Sequence, residues 1–254
     1  MWTPIALASE FGPYAHDVWR VVEAQHRIST NRLGSNLADQ ARLEELAEEA
    51  KPDLPKAARS KDYLIASPFR YGQTVASRFH KADERPGILS ASEHEAIAIA
   101  ETAYWRLRFF SRSPGFVPPS TTCEHLSFKV KVKAKRALDL IRLPSIADAA
   151  KWNDPLDYMA CQDLAAAARF ADAQLIRSKS VRDPEAGANV AILDPVAITR
   201  QTPTYAKTWH FRFEQGRLSA LAAFPGDDRY SFDAANLGLG RSFARLCDFR
   251  LIGR

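Results

Sequence analysis

Apolar residues recur along this chain at two spacings. In "HDVWRVVEAQHRIS", Val18, Val21, Val22 and Ala24 fall on one helical stripe, so the first 60 residues read as mainly helical. "SNLADQARLEELAEEAK" continues the pattern with Leu37, Ala41, Leu43, Leu46 and Ala47, capped by Ser35 or Asn36. "PDLPKAARS" breaks it. "YLIASPFRYG" predicts an extended segment entering a turn at Pro68. From Ser92 the chain becomes rich in alanine and isoleucine. Ser92 and Glu95 have capping-box spacing, and Glu93 adds negative charge to the first turn. A helix over roughly 93–110 follows, stopped by the prolines and glycine of "SRSPGFVPPS".

Beyond it the spacing changes to two. "FKVKVKAKR" alternates Phe128, Val130, Val132 and Ala134 with four lysines, the pattern of a strand with one buried and one wet face. Strands are expected near 124–134 and 137–141. Asp154-Pro155-Leu156-Asp157 starts a helix running to about 171. "QLIRSKSV" and "NVAILD" read as strands joined by "RDPEAGA". "TWHFRFEQGRLSALAAF" reads as a hairpin turning at Gln215-Gly216. Strands and helices do not alternate regularly, so the expected fold class is α+β, with a mixed β core and flanking helices. The expected organisation is one domain over 1–254: a helical part over about 1–60, a core over about 61–200 and a C-terminal hairpin over about 201–254.

Composition narrows the function. At 46% hydrophobic over 254 residues the chain can bury a sizeable core. No apolar run approaches a membrane span. Met1–Ala6 lacks the order of a secretory leader, and Cys123, Cys161 and Cys247 form no disulfide framework. A cytoplasmic location is the expectation. The histidines show no paired-ligand spacing, so no metal is expected. The net charge of +5 is interspersed and carries no nucleic-acid signature. Neither G-x-G-x-x-G nor G-x-x-x-x-G-K-[ST] occurs.

Four polar residues stand out as candidates. Glu101 interrupts an apolar stripe of Ile97, Ala98, Tyr104 and Trp105. Either it pairs with an arginine or lies at the helix edge, or it is held in a low-dielectric cleft where it can stabilise developing positive charge. Arg78, in "ASRFHKADERPG", has a fork suited to phosphate oxygens, with Arg70 and Arg85 as rivals. Ser180 ends a predicted strand with no nucleophile elbow around it, and its hydroxyl is free to bond a ribose or an amide. Asn189 belongs to the same hairpin and reads as a turn residue.

Taken in order, "SRFHKADERPGILSASEHEAIAIAETAYWR" and "LIRSKSVRDPEAGANVAILDP" resemble the RES family, the toxin halves of bacterial RES–Xre toxin–antitoxin pairs. With "WRVVEAQHRIST" and "YLIASPFRYG", the resemblance spans about residues 18–200. It implies a fold similar to ADP-ribosyltransferases and an activity that consumes NAD+ as substrate, with no cofactor. The resemblance implies that the nicotinamide–ribose bond is cleaved and that ADP-ribose passes to water, to phosphate or to a protein. It further implies that Glu101 holds a ribose hydroxyl and stabilises the cationic transition state, that Arg78 grips the pyrophosphate, and that Ser180 orients the nicotinamide-side ribose or the carboxamide. Ser90, in "GILSAS", stands where family members usually carry a substrate-facing tyrosine, a place Tyr71 or Tyr104 would have to fill. That departure allows a catalytically weakened RES protein acting as a binding partner. The implied partner is an Xre-type antitoxin, with DNA reached only through it; a homodimer is a further expectation.

Overall fold

The computed structural model describes residues 3–24, 36–72, 74–112, 121–142, 146–183, 185–234 and 239. After a short helix α1 (Pro4–Ser9), β1 runs over Phe11–Glu23. Two helices follow, α2 (Leu37–Glu49) and α3 (Tyr63–Arg70), and then strand β2 (Leu89–Ser92). Helix α4 (Glu95–Arg112) leads to the long strand β3 (Cys123–Asp139). Helices α5 (Ile146–Trp152) and α6 (Met159–Phe170) precede β4 (Leu175–Lys179) and β5 (Ala188–Ile192). The remaining strands are β6 (Thr204–Glu214), β7 (Arg217–Ala222) and β8 (Arg229–Asp233).

These strands form one mixed sheet, as the α+β expectation requires. β3 is its axis. One edge of β3 pairs antiparallel with β1; the other pairs with β6 at its start and parallel with β4 at its end. β4, β5 and β2 then lead back to β1, so five strands close a ring, and β6, β7 and β8 extend away from it. The ring closes through one register pair, Trp19↔Ser92.

Three core clusters hold this arrangement. The first takes Tyr14 and Val18 from β1, Phe128 and Val130 from β3, and Ile65 and Phe69 from α3. The second packs α4 through Ile99, Tyr104 and Leu107 against Trp209 and Phe211 of β6. The third seats α6 on Leu138, Ile176 and Ala191. Along β3 the predicted alternation holds: Phe128, Val130, Val132 and Ala134 are buried between more exposed lysines.

Several elements differ from their sequence patterns. Residues 11–23 form a strand, not a helix: Val18 packs on one face and Val21 on the other, so both faces are apolar and the period of two is hidden. Residues 63–70 are helical despite Pro68. Asp62 caps the start, and burial of Ile65 and Phe69, worth about 1.5–3 kcal/mol each, outweighs the interior proline's cost of about 3 kcal/mol. The strands expected at 124–134 and 137–141 are one. The helix after Asp154 begins at Met159, because Asp154 caps a separate turn by accepting from Leu156 and Asp157 N–H. α2 starts beside its predicted cap Asn36, and the β6–β7 hairpin turns at Gln215 and Gly216, both at positive φ.

Among the described residues, no helix is long and apolar enough to cross a membrane.

Candidate functional site

The glutamates at the β2–α4 junction and along α4 divide sharply. Glu93 takes a bidentate grip from Arg177, at 2.7 and 3.0 Å, and a hydrogen bond from Tyr14 Oη at 3.0 Å. Burial works upward on its carboxyl, but the Arg177 hydrogen bonds hold it below its ordinary range. Glu95 accepts from Ser127 Oγ at 2.5 Å and Trp209 Nε1 at 3.0 Å, and Lys207 lies 3.5 Å away. Both carboxylates tie α4 to the sheet. Neither serves as the predicted cap: Ser92 belongs to β2, and its Oγ donates to Asn189 Oδ1 instead.

Glu101, two turns further along α4, differs in kind. Its Oε1 accepts from Ser180 Oγ at 2.8 Å and from Asn189 Nδ2 at 2.5 Å. Both donors are neutral, and among the described residues Glu101 has no ion-pair partner. Among the described residues its second oxygen carries no hydrogen bond. Glu101 lines a cleft of about 1070 Å³ between α4, the β1–β2 edge and the loop before β2.

The local chain explains why the donors meet there. Asn189 lies opposite Ser92 on one side and Ser178 on the other. Its amide is fixed from behind by Ser92 Oγ at 2.7 Å, which turns Nδ2 toward Glu101. Ser180 accepts from the N–H groups of Arg182 and Asp183, both at 3.2 Å, so its own proton points at the carboxylate. Gly187 closes this hairpin, where a Cβ would lie 2.4 Å from Ile97 Cδ1 on α4. Asn189 is therefore a strand residue facing the site, not a turn residue.

The other candidates sit differently. Ser180 is 3% exposed and lies behind Glu101, outside the cleft lining. Arg78 lines the cleft, but its fork is engaged: Nε and Nη2 donate to Trp152 O, Nη2 to Asn153 Oδ1 at 3.0 Å, and Nη1 to Lys179 O at 2.6 Å. It braces α5 against the end of β4. Ser90 is exposed in β2, and its carbonyl accepts from Arg20 Nη1 at 2.8 Å. Of the two tyrosines considered in its place, Tyr104 lines the cleft, buried beneath the Arg182 guanidinium at 3.6 Å.

Periodicity missed Trp19, Arg20, Tyr158 and His125, all cleft-lining. The two β1 residues were hidden by the helical reading of that strand. Near one edge, Glu23, Cys123 and His125 bring potential ligand atoms within 4.8 Å of one another. Arg106 already supplies the cation there, 3.1 Å from Glu23 Oε2 and 3.5 Å from His125 Nε2. Burial pushes the Cys123 thiol up and holds the His125 imidazole down to about 4. The group therefore fits an ion pair beside a neutral imidazole.

The RES domain family model matches residues 54–214 of the chain. No curated protein sequence matches it. Among solved structures, the crystal structure of the M. tuberculosis MbcT–MbcA toxin–antitoxin complex aligns over 82% of this chain and 90% of that one, at 12% identity and a TM-score of 0.47.

Proposed function

This chain belongs to the RES domain family, and on that premise we propose that it is the toxin of a toxin–antitoxin pair, consuming NAD+ at the Glu101 cleft. The observation that carries the reading is the unpaired carboxylate. This half-buried Glu is held only by neutral donors, and among the described residues no cation lies against it. Such a group is poorly suited to holding a fold together and well suited to meeting positive charge supplied by a ligand.

The chemistry follows. The bond between the ribose anomeric carbon and the pyridinium nitrogen breaks with its electron pair going to nitrogen. Neutral nicotinamide leaves, so no general acid is needed. The ribosyl group passes through an oxocarbenium-like state and is captured by water or phosphate, whose proton is released to solvent. Glu101 stabilises that cation and accepts from a ribose hydroxyl. Asn189 and Ser180 hold the carboxylate in place; Ser180 acts through Glu101 and not on the substrate. Arg78 shapes the cleft wall by bracing α5. Trp105 and Trp19 offer aromatic surface for the nicotinamide and adenine rings.

An antitoxin that covers this cleft would silence the protein. The test is nicotinamide release from NAD+ by purified protein, in buffer with and without phosphate, with ADP-ribose and its phosphorylated product separated by chromatography. No release under either condition overturns the enzymatic reading. Release only when a cell lysate is present would move the acceptor to a protein.

A further inference from the structure

Lys129, Lys131, Lys133 and Lys135 alternate along β3. In the sequence they stand without an aromatic residue on their own face. The fold supplies one. β1 sets Trp19 opposite Lys129, whose Nζ lies 5.3 Å from the centre of the Trp19 ring. Farther along, β1 sets Asp17 opposite Lys131 and Ala15 opposite Lys133. Among the described residues none of the four lysines meets a carboxylate at ion-pair distance, whereas Lys51, Lys81 and Lys207 each do.

This row of charge starts at the cleft. The first part of the same face of β3 is covered: Ser127 bonds Glu95 of α4, and His125 is buried. From Lys129 the face opens, with Lys129 half-buried and Lys131, Lys133 and Lys135 exposed. Trp19 belongs to both regions, because it also lines the cleft. Residues on one face of a strand recur about every 6.7 Å. Consecutive phosphates of an extended single strand of nucleic acid recur at much the same interval. Lysine ammoniums are compact charges on flexible stems and follow such a backbone without reading bases. A positive track beside a stacking aromatic ring is the usual means of holding a single strand. An acidic peptide would match the charge, but it brings no base for Trp19 to stack. The cleft adds a reason of its own: a bound NAD+ contains an adenosine, whose 3′ oxygen can continue into an RNA chain.

We infer that the lysine face of β3 is a track for a single strand of RNA, which enters the cleft by its 5′ end with the first base on Trp19. The inference deepens the NAD+ reading and rests on it. The substrate class becomes RNA whose 5′ end carries NAD+, joined through the adenosine 3′ oxygen. The bond broken is the same, so Glu101 keeps its role, and nicotinamide leaves while the RNA stays on the track. The lysines meet phosphates only and act on binding.

Two readouts separate the track from the reaction. The first is fluorescence anisotropy of a labelled RNA of about ten nucleotides, with a 5′ phosphate, titrated with the whole chain. Wild type should bind it at low salt. Combining Lys129→Gln, Lys131→Gln and Lys133→Gln should weaken binding roughly tenfold or more, and should lower the slope of log K against log salt by about 2. Arginine at the same three positions should keep the binding. Equal binding by wild type and the triple Gln variant overturns the track. So does displacement of the RNA by polyglutamate as readily as by unlabelled RNA. Tighter binding of DNA of the same sequence overturns the assignment to RNA. The second readout is nicotinamide release from NAD+ and from the same RNA carrying a 5′ NAD+. Wild type should show a KM roughly tenfold lower for the RNA-linked substrate at a similar kcat, and the triple Gln variant should bring the two KM values together. A wild-type KM that is no lower for the RNA-linked substrate overturns the substrate class. If neither substrate releases nicotinamide, the proposed reaction falls, and anisotropy still decides whether the track stands.

Discussion

Glu101→Gln isolates charge from shape. A glutamine oxygen at Oε1 can still accept from Ser180 and Asn189, at the 2.8 and 2.5 Å now seen. The new amide nitrogen takes the place of an oxygen that accepts no hydrogen bond from the described residues. Packing beside Ala98 and Tyr104 is unchanged. What disappears is one negative charge facing the cleft. For unit charges about 4 Å apart at an effective dielectric constant of about 20, the interaction is about 4 kcal/mol. At about 1.4 kcal/mol per tenfold, that is roughly a thousandfold in rate. The assay is nicotinamide release under saturating NAD+, with a thermal melt of the same preparation; the melting temperature should stay within a few degrees. Ser180→Ala added to Glu101→Gln should cost little more, because the serine acts through the carboxylate. Equal release by wild type and Glu101→Gln would refute the argument, as would a full further loss on removing Ser180.

Three further outcomes follow from the geometry. Asn189→Asp replaces an amide donor to Glu101 with a second carboxylate, and like charges at that distance repel; activity should collapse, read as nicotinamide release beside a thermal melt of the same preparation. Gly87→Ala puts a Cβ 2.1 Å from Pro68 O and 2.3 Å from Tyr71 O, backbone atoms that cannot step aside. The cost should reach the upper part of the 1–3 kcal/mol range for overpacking, a melting-temperature drop of roughly 6–10 °C. His125 is buried neutral with its pKa held down to about 4, whereas an unfolded histidine titrates near 6.5. Its stabilising contribution is complete above about 6.5 and is lost as pH falls through about 4, so His125→Phe should flatten the stability curve across that window in denaturant titrations.

Much of the fold was readable in the sequence, where one face was wet and one dry. β3 shows it best over residues 128–135, where four lysines alternate with buried apolar residues. The reading failed where both faces are packed. β1 sends Tyr14 and Val18 to one cluster and Val21 to another, and its valines then satisfy a helical spacing by accident. It failed at α3 because one proline was weighed without the burial of Phe69. Capping chemistry misled at Ser92 and Glu95, since both side chains found better partners across the sheet, in Asn189, Ser127 and Trp209.

The site divides the same way. Glu101 was visible because it broke a pattern, and family resemblance added Ser180 and Arg78. No local signal could show that Asn189 would reach across from β5, or that the Arg78 fork would be used up by carbonyls of residues 152 and 179. Those facts belong to the closed ring. Arg20 lay inside the misread strand, so its place on the cleft wall was invisible until that strand was in place.

The long pairing of β1 with β3 bears on how the protein can be cut. The matched family segment begins at residue 54 and so omits β1. A fragment trimmed to that boundary would expose one whole edge of β3, from the partner of Glu23 to the partner of Phe11. Its N–H and C=O groups would be left facing water, flanked by the apolar Phe128, Val130 and Val132. Long bare edges of this kind recruit other strands, and a fragment would find them in copies of itself. The piece that carries the family signature would then be the piece most prone to aggregate, and soluble expression would depend on a strand the signature leaves out.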